Sequence, residues 1–254
     1  MPPAVSPAPG SPGADGPGPS AAGARARVRV ELMREITDAG RAELAEVGPA
    51  ALSLRAVARR LGMAPSALYR YYASRDHLLT ALIVDAYNAL AATAAAADAT
   101  SQDPGRRWMA LGRALREWSG GHPHEWALVF GSPVPGFVGS EETTAAATGL
   151  HRVPIELLVD AAGAGVLDAP GGLPVPPAVA ASVAPMAALA PGLDPAVAAA
   201  ALAAWAQVLG AISLERFGHF VGAVDDQDAW FDHCLRLAGG LVGLRVGGGA
   251  PAVR

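Results

Sequence analysis

The stretch from Ser53 to Asp76, SLRAVARRLGMAPSALYRYYASRD, restricts the fold more than any other part of the chain. Leu54, Val57, Ala58 and Leu61 recur at spacings of three and four, which makes them one apolar stripe of a short helix. Arg55, Arg59 and Arg60 fall on its other side. Ser53 is placed to cap that helix and Gly62 to close it. Pro65 suits the first turn of a new helix, where its missing N–H is no loss. This second helix ends near Tyr72, because Ser74 opens a longer one towards Ala97. Two short helices joined by so tight a turn form a helix-turn-helix.

At about 100° per residue, Leu68 and Tyr72 point the same way, toward the preceding helices. Ser66, Arg70 and Ala73 point away, with Ala67, Tyr69 and Tyr71 on the flanks. Tyr72 is therefore read as core. Tyr69 and Tyr71 are placed to offer hydroxyls to phosphates or rings to base edges. Arg70, at the centre of the outward face, suits a bidentate contact with guanine. Arg75 follows the Ser74 cap, where a cation opposes the helix dipole, and a phosphate partner would explain it. Arg25, Arg27 and Arg29 lead into the first helix and are candidates for the same role. Taken singly, Arg55, Arg59 and Arg60 read more readily as a solvated face. Their combination with the turn glycine and the outward Arg70 points to double-stranded DNA.

Charge is distributed accordingly. From Arg25 to Asp76 there are ten Arg against six acidic residues, and from His77 onward nine Arg against sixteen. A basic N-terminal unit on an acidic body is the asymmetry expected when one end meets a polyanion. All 19 basic residues are Arg, which with the abundant Ala, Gly and Pro points to a GC-rich, bacterial coding sequence. The lone Cys234 excludes an internal disulfide framework and a multi-cysteine zinc site, and it fits a cytoplasmic protein. No basic start followed by an apolar run marks a signal peptide. The uncharged run Pro195 to Leu214 has the length of a membrane span. Its alanines, with Gln207 and Ser213, read instead as a buried or subunit-pairing helix, and no membrane partner is expected.

Residues 1–24 hold seven Pro and five Gly, a composition expected to form a disordered tail. Beyond it the apolar spacing is helical, breaks fall at Pro and Gly clusters, and no alternating strand pattern occurs, so the fold class is all-α. The first helix is expected from about 27 to 47, with Leu32, Ile36 and Ala39 on one face and Gly48 just past its end. Later helices are expected at 104–120, 122–131, 140–164, 177–190, 194–220 and 227–243.

The segment ALSLRAVARRLGMAPSALYRYYASRDHLLTALI resembles the DNA-binding domain of the TetR family of bacterial transcriptional regulators. The matching positions are Ala58, Gly62, the pair Leu68-Tyr69, Tyr72 and Arg75, within a resemblance covering roughly 28–85. Two positions depart from the family pattern: Ala64 stands where Ser or Thr usually caps the third helix, and Arg75 where Lys is common. The resemblance implies phosphate contacts from Ser53, Tyr69 and Arg75, and base-edge or groove contacts from Pro65, Ser66, Ala67, Arg70 and Tyr71. It also implies a DNA-binding domain over 25–85, with the helix-turn-helix at about 53–72. A helical domain over 86–246 would then dimerise through its last two helices and enclose a pocket for a small, hydrophobic effector. On that reading the chain is a ligand-responsive regulator, a repressor bound as a homodimer to a palindromic operator, and not an enzyme.

In the body, Ala201, Trp205, Val208, Ile212 and Glu215 lie along one stripe, with Gly210 allowing close approach. Trp205, Val208, Ile212, Trp230 and Leu235 are the candidate dimer residues, although two adjacent apolar helices could equally pack within one chain. The segment HPHEWALVFGSPVPGF resembles a stretch of many actinobacterial members of the family. Trp108, Trp118, Trp126, Phe130 and Phe137 lie in or around it, as pocket lining or as core. A helical binding protein or enzyme, with a purely structural N-terminal unit, is the alternative, distinguished by its failure to bind DNA. His122, His124 and Glu125 lack further ligands at metal spacing. Gly163-Ala164-Gly165 lacks the setting and the Lys of a phosphate loop. No nucleophile-elbow pattern occurs, and neither cofactor nor metal is expected.

Overall fold

The computed structural model describes residues 21–168, 174–187 and 190–246, and no strand occurs among them. The helices are α1 (Ala21–Ala51), α2 (Leu54–Arg60), α3 (Pro65–Leu68), α4 (Arg75–Asp98), α5 (Pro104–Gly121), α6 (Pro123–Phe130), α7 (Glu141–Gly163), α8 (Pro177–Ala187), α9 (Pro195–Arg216) and α10 (Gln227–Leu241). The chain is all-α, as its apolar spacing requires. Of the expected disordered tail, residues 1–20 lie outside the described residues, while 21–24 belong to the first turn of α1. That helix therefore starts earlier than the sequence pattern suggested. Its opening turns are Ala- and Arg-rich, a composition that favours helix without any apolar stripe to reveal it.

Half of the helix starts among the described residues follow from the side chain just before them. Ser74, Asp103, Ser140, Asp194 and Asp226 each accept a hydrogen bond from a first-turn backbone N–H of α4, α5, α7, α9 and α10. Such caps satisfy donors that the helix itself leaves orphaned. Proline occupies the first turn of α3, α5, α6 and α9. Helical geometry in α1 breaks at Gly48, with φ +74°.

Two apolar cores result. The first gathers Ile36 and Leu44 of α1, Val57 of α2, Leu68 of α3 and Leu78, Leu79 and Leu82 of α4. The second gathers Leu90 of α4, Trp108, Leu111 and Leu115 of α5, Trp126 of α6, Leu150 and Leu158 of α7, Val208 and Ile212 of α9 and Phe231 and Leu235 of α10. α4 thus enters both cores along its length. α6 enters both across its width, with Trp126 in the second and Leu128 in the first.

Candidate nucleic-acid interface and body cavities

The α2–α3 turn is closed by Gly62 at φ +66°, a left-handed conformation that a β-carbon would strain. The Met63 N–H then donates to the Ala58 carbonyl at 2.9 Å, which fixes the angle between the helices. Leu68 is fully buried and Tyr72 is 6% exposed, whereas Ser66, Arg70 and Ala73 face solvent. Tyr69 is 46% exposed, Ala67 and Tyr71 are half-buried, and Pro65 and Arg55 are exposed. Arg55, Arg59 and Arg70 make no ion pair or side-chain hydrogen bond, among the described residues. Their charges are therefore open to an external anion. Arg60 is drawn back toward α1 by Glu46 at 2.6 Å and Glu43 at 3.4 Å.

Ser53 occupies the cap position of α2 in an extended conformation, but its side chain makes no capping hydrogen bond. Ala64 cannot cap α3, and nothing replaces it. Arg75 differs more from its sequence reading. Its Nη2 donates to the Pro49 carbonyl at 2.7 Å and the Ala50 carbonyl at 3.2 Å, and Nη1 lies 3.4 Å from Asp76 Oδ1. These contacts explain a cation at a helix start, because Arg75 fastens α4 to the segment between Gly48 and α2. Arg29 stacks over the Tyr71 ring at 5.1 Å, which sets the exposed start of α1 beside the end of the α3 turn.

The aromatic residues of the body separate into core and cavity. Trp126 is fully buried and packs against Phe130, which meets Tyr87 of α4 edge-on. Trp118 stacks on His122 at 4.5 Å. Trp108 and Phe137 do line cavities, but different ones. A cavity of about 520 Å³ is walled by Trp108 of α5, Thr148, His151, Arg152, Pro154, Ile155 and Leu158 of α7, Met186 of α8, and Ala201, Leu202 and Trp205 of α9. A more open cleft of about 460 Å³ lies between α4, α6 and α7, with Ile83, Tyr87, Leu128, Val134, Phe137 and Thr143 on its walls. Of the five aromatic residues read as pocket lining or as core, Trp108 and Phe137 thus line separate cavities and Trp126 is core, so they do not form one pocket.

The candidate dimer residues also need correcting. Trp205, Val208, Ile212 and Leu235 are 6%, 1%, 0% and 0% exposed within a single chain. The stripe is real, but it packs α9 and α10 onto the body of their own protomer, leaving no surface for a partner. Of the five, only Trp230 is exposed. On the outer faces of α9 and α10 stand Leu202, Leu214, Trp230 and Leu237, with Phe217 just past the end of α9, each between 39% and 50% exposed.

A family model described as bacterial regulatory proteins, tetR family, matches residues 36–82. A second, described as the tetracyclin repressor-like C-terminal domain, matches 108–238. The HTH-type transcriptional regulator Rv1816 of Mycobacterium tuberculosis is 40% identical over 225 residues, covering 82% of this chain and 91% of that protein. The chain belongs to the TetR family. It is a helix-turn-helix transcriptional regulator by that membership. Among solved structures, the putative regulatory protein SCO4313 is 33% identical with a TM-score of 0.69, covering 84% of this chain and 98% of the other. FadR of Bacillus subtilis, solved in complex with stearoyl-CoA, shares the fold at 13% identity and a TM-score of 0.58, over 84% of this chain and 99% of its own.

In this TetR-family regulator, α6 and α4 join the two halves. Trp126 Nε1 donates to Ser213 Oγ of α9 at 3.2 Å, Phe130 packs on Tyr87 of α4, and Leu128, Val134 and Phe137 sit against the N-terminal core. His151 and Tyr87, which line the two cavities, carry no sequence signal, because neither stands in a motif or at a spacing that marks a site.

Proposed function

We propose that this chain is a ligand-responsive repressor that binds a palindromic operator as a homodimer, in the bacterial cytoplasm. The observation that carries the DNA-binding face is the solvent-facing set of Ser66 on α3 and Tyr69 and Arg70 just past its end, beside Arg55 and Arg59 on α2, unpaired among the described residues. Arg70 reads a base edge, Tyr69 and Ser53 hold phosphates, and Pro65, Ala67 and Tyr71 shape the surface that enters the groove. The outer face of α9 and α10 supports the dimer, because α9 carries no charge from Pro195 to Leu214 on either side. Two-fold pairing there sets two recognition turns one helical repeat apart, at ~34–36 Å.

The cavity beside α9 is the effector site in this reading. Leu202 belongs both to its wall and to the outer face of α9, so a filled cavity bears directly on the dimer face. The chain of contacts from α9 through Trp126, Phe130 and Tyr87 links the same cavity to the N-terminal core. An effector that prefers one arrangement of these helices shifts the spacing of the recognition turns and so the operator affinity. Fluorescence anisotropy of the protein against the DNA upstream of its own gene, with scrambled DNA as control, tests the reading. Preferential binding that is lost on Arg70→Ala is expected; equal affinity for both duplexes, unchanged by that substitution, contradicts it.

A further inference from the structure

Trp205, on the wall of the cavity beside α9, carries a donor that the fold leaves unused. Trp205 is 6% exposed, forms part of the wall, and its Nε1–H has no acceptor. The other two fully enclosed indoles behave differently: Trp108 donates to the Leu235 carbonyl at 2.9 Å and Trp126 to Ser213 Oγ at 3.2 Å. A buried donor without an acceptor is destabilising, so its position on a cavity wall indicates a partner supplied from outside the chain.

The remaining wall narrows the chemistry of that partner. His151 meets Trp205 edge-on, with ring centroids 6.2 Å apart. Its Nδ1 lies 2.6 Å from the Ala147 carbonyl. A carbonyl only accepts, so Nδ1 carries the proton, and in the neutral ring Nε2 remains an acceptor. Arg152 is the charged residue of the lining, and its guanidinium is mostly solvent-facing and paired with Glu156 at 2.8 Å. Away from Arg152 the wall is formed by uncharged side chains such as Trp108, Pro154, Ile155, Leu158, Met186 and Ala201, and an ion held among them would be strongly disfavoured.

We propose that this cavity binds a neutral, apolar molecule carrying an accepting oxygen, such as a ketone or ester, which takes the Trp205 Nε1–H. A hydroxyl on the same molecule would find His151 Nε2. The volume of about 520 Å³ falls within the usual range for small-molecule sites. This rests on the ligand-responsive reading above and names the class of ligand for it.

The test is isothermal titration of the full chain with 2-nonanone, camphor, sodium nonanoate and nonylamine. Trp205→Phe keeps an apolar ring and removes only the N–H. The ketones should bind the unsubstituted protein at least tenfold more tightly than either ion, and Trp205→Phe should weaken them roughly tenfold, the size of one hydrogen bond. Leu202→Trp, at the half-exposed mouth where folding is not at risk, should block all four. The proposal is overturned if an ion matches the ketones, if neither ketone binds, or if Trp205→Phe or Leu202→Trp binds them unchanged. Ketone binding that leaves operator affinity unaltered would contradict the ligand-responsive reading alone. A protein that holds its operator but no ketone would contradict this inference alone.

Discussion

Arg70 and Arg75 are close in sequence yet have opposite surroundings, and their substitutions should separate cleanly. Arg70 is exposed and unpaired, so Arg70→Ala should remove about 1–3 kcal/mol of discrimination between operator and scrambled DNA while leaving the melting temperature unchanged. Competition titrations with the two duplexes read the first effect. Arg75 holds two backbone carbonyls. Arg75→Ala should therefore lower stability by about 1–3 kcal/mol in denaturant titration and leave the salt dependence of DNA binding unaltered. A reduced salt slope with unchanged stability would instead make Arg75 a phosphate ligand. The inward Leu68 and Tyr72 and the outward Arg70 were legible in the sequence, because a helical period alone assigns them. The partners of Arg75 were not, since Pro49 and Ala50 lie far away in the chain and their carbonyls leave no mark in a residue pattern.

Among the helices, the start of α1 has the least visible purpose within the fold. Arg25, Arg27, Val28 and Val30 are exposed, and Arg29 rests on Tyr71. On the proposed reading, its position beside the recognition turn makes it an arm reaching phosphates that flank the operator. Replacing Arg25, Arg27 and Arg29 together by Ala should lower the slope of log affinity against log salt by about 0.9 for each phosphate that the arm neutralises. The effect should be equal on operator and scrambled DNA, and an unchanged slope would confine the footprint to α2 and α3. α9 shows where sequence reading fails at this scale. Its stripe of Ala201, Trp205, Val208 and Ile212 was visible, but the opposite side, with Leu202, Ala206, Gly210 and Leu214, is apolar as well. An amphipathic pattern assigns a core face only when the other face is polar. Here it could not say which side meets the protomer and which meets a partner.

At the scale of the whole molecule, the two cores share α4 and α6, so the DNA-binding end and the body cannot rearrange independently. The division into a basic unit and an acidic body was legible from charge alone, and the all-α class from apolar spacing. The cavity was not, because it depends on α5, α7, α8 and α9 meeting around a gap that no local pattern encodes. Pairing through the outer face of α9 and α10 predicts that Trp230→Glu combined with Leu237→Glu yields a folded monomer in light scattering. That monomer should bind a single half-site weakly; a dimer that persists would place the interface elsewhere. The central claim is that this molecule reads DNA sequence as a two-fold pair, and selection from a random duplex library tests it most directly. Enrichment of a palindrome with half-sites ~10 bp apart, centre to centre, abolished by Arg70→Ala, is the expected result. A pool that stays random after selection, or one enriched for a motif that Arg70→Ala still selects, would contradict it.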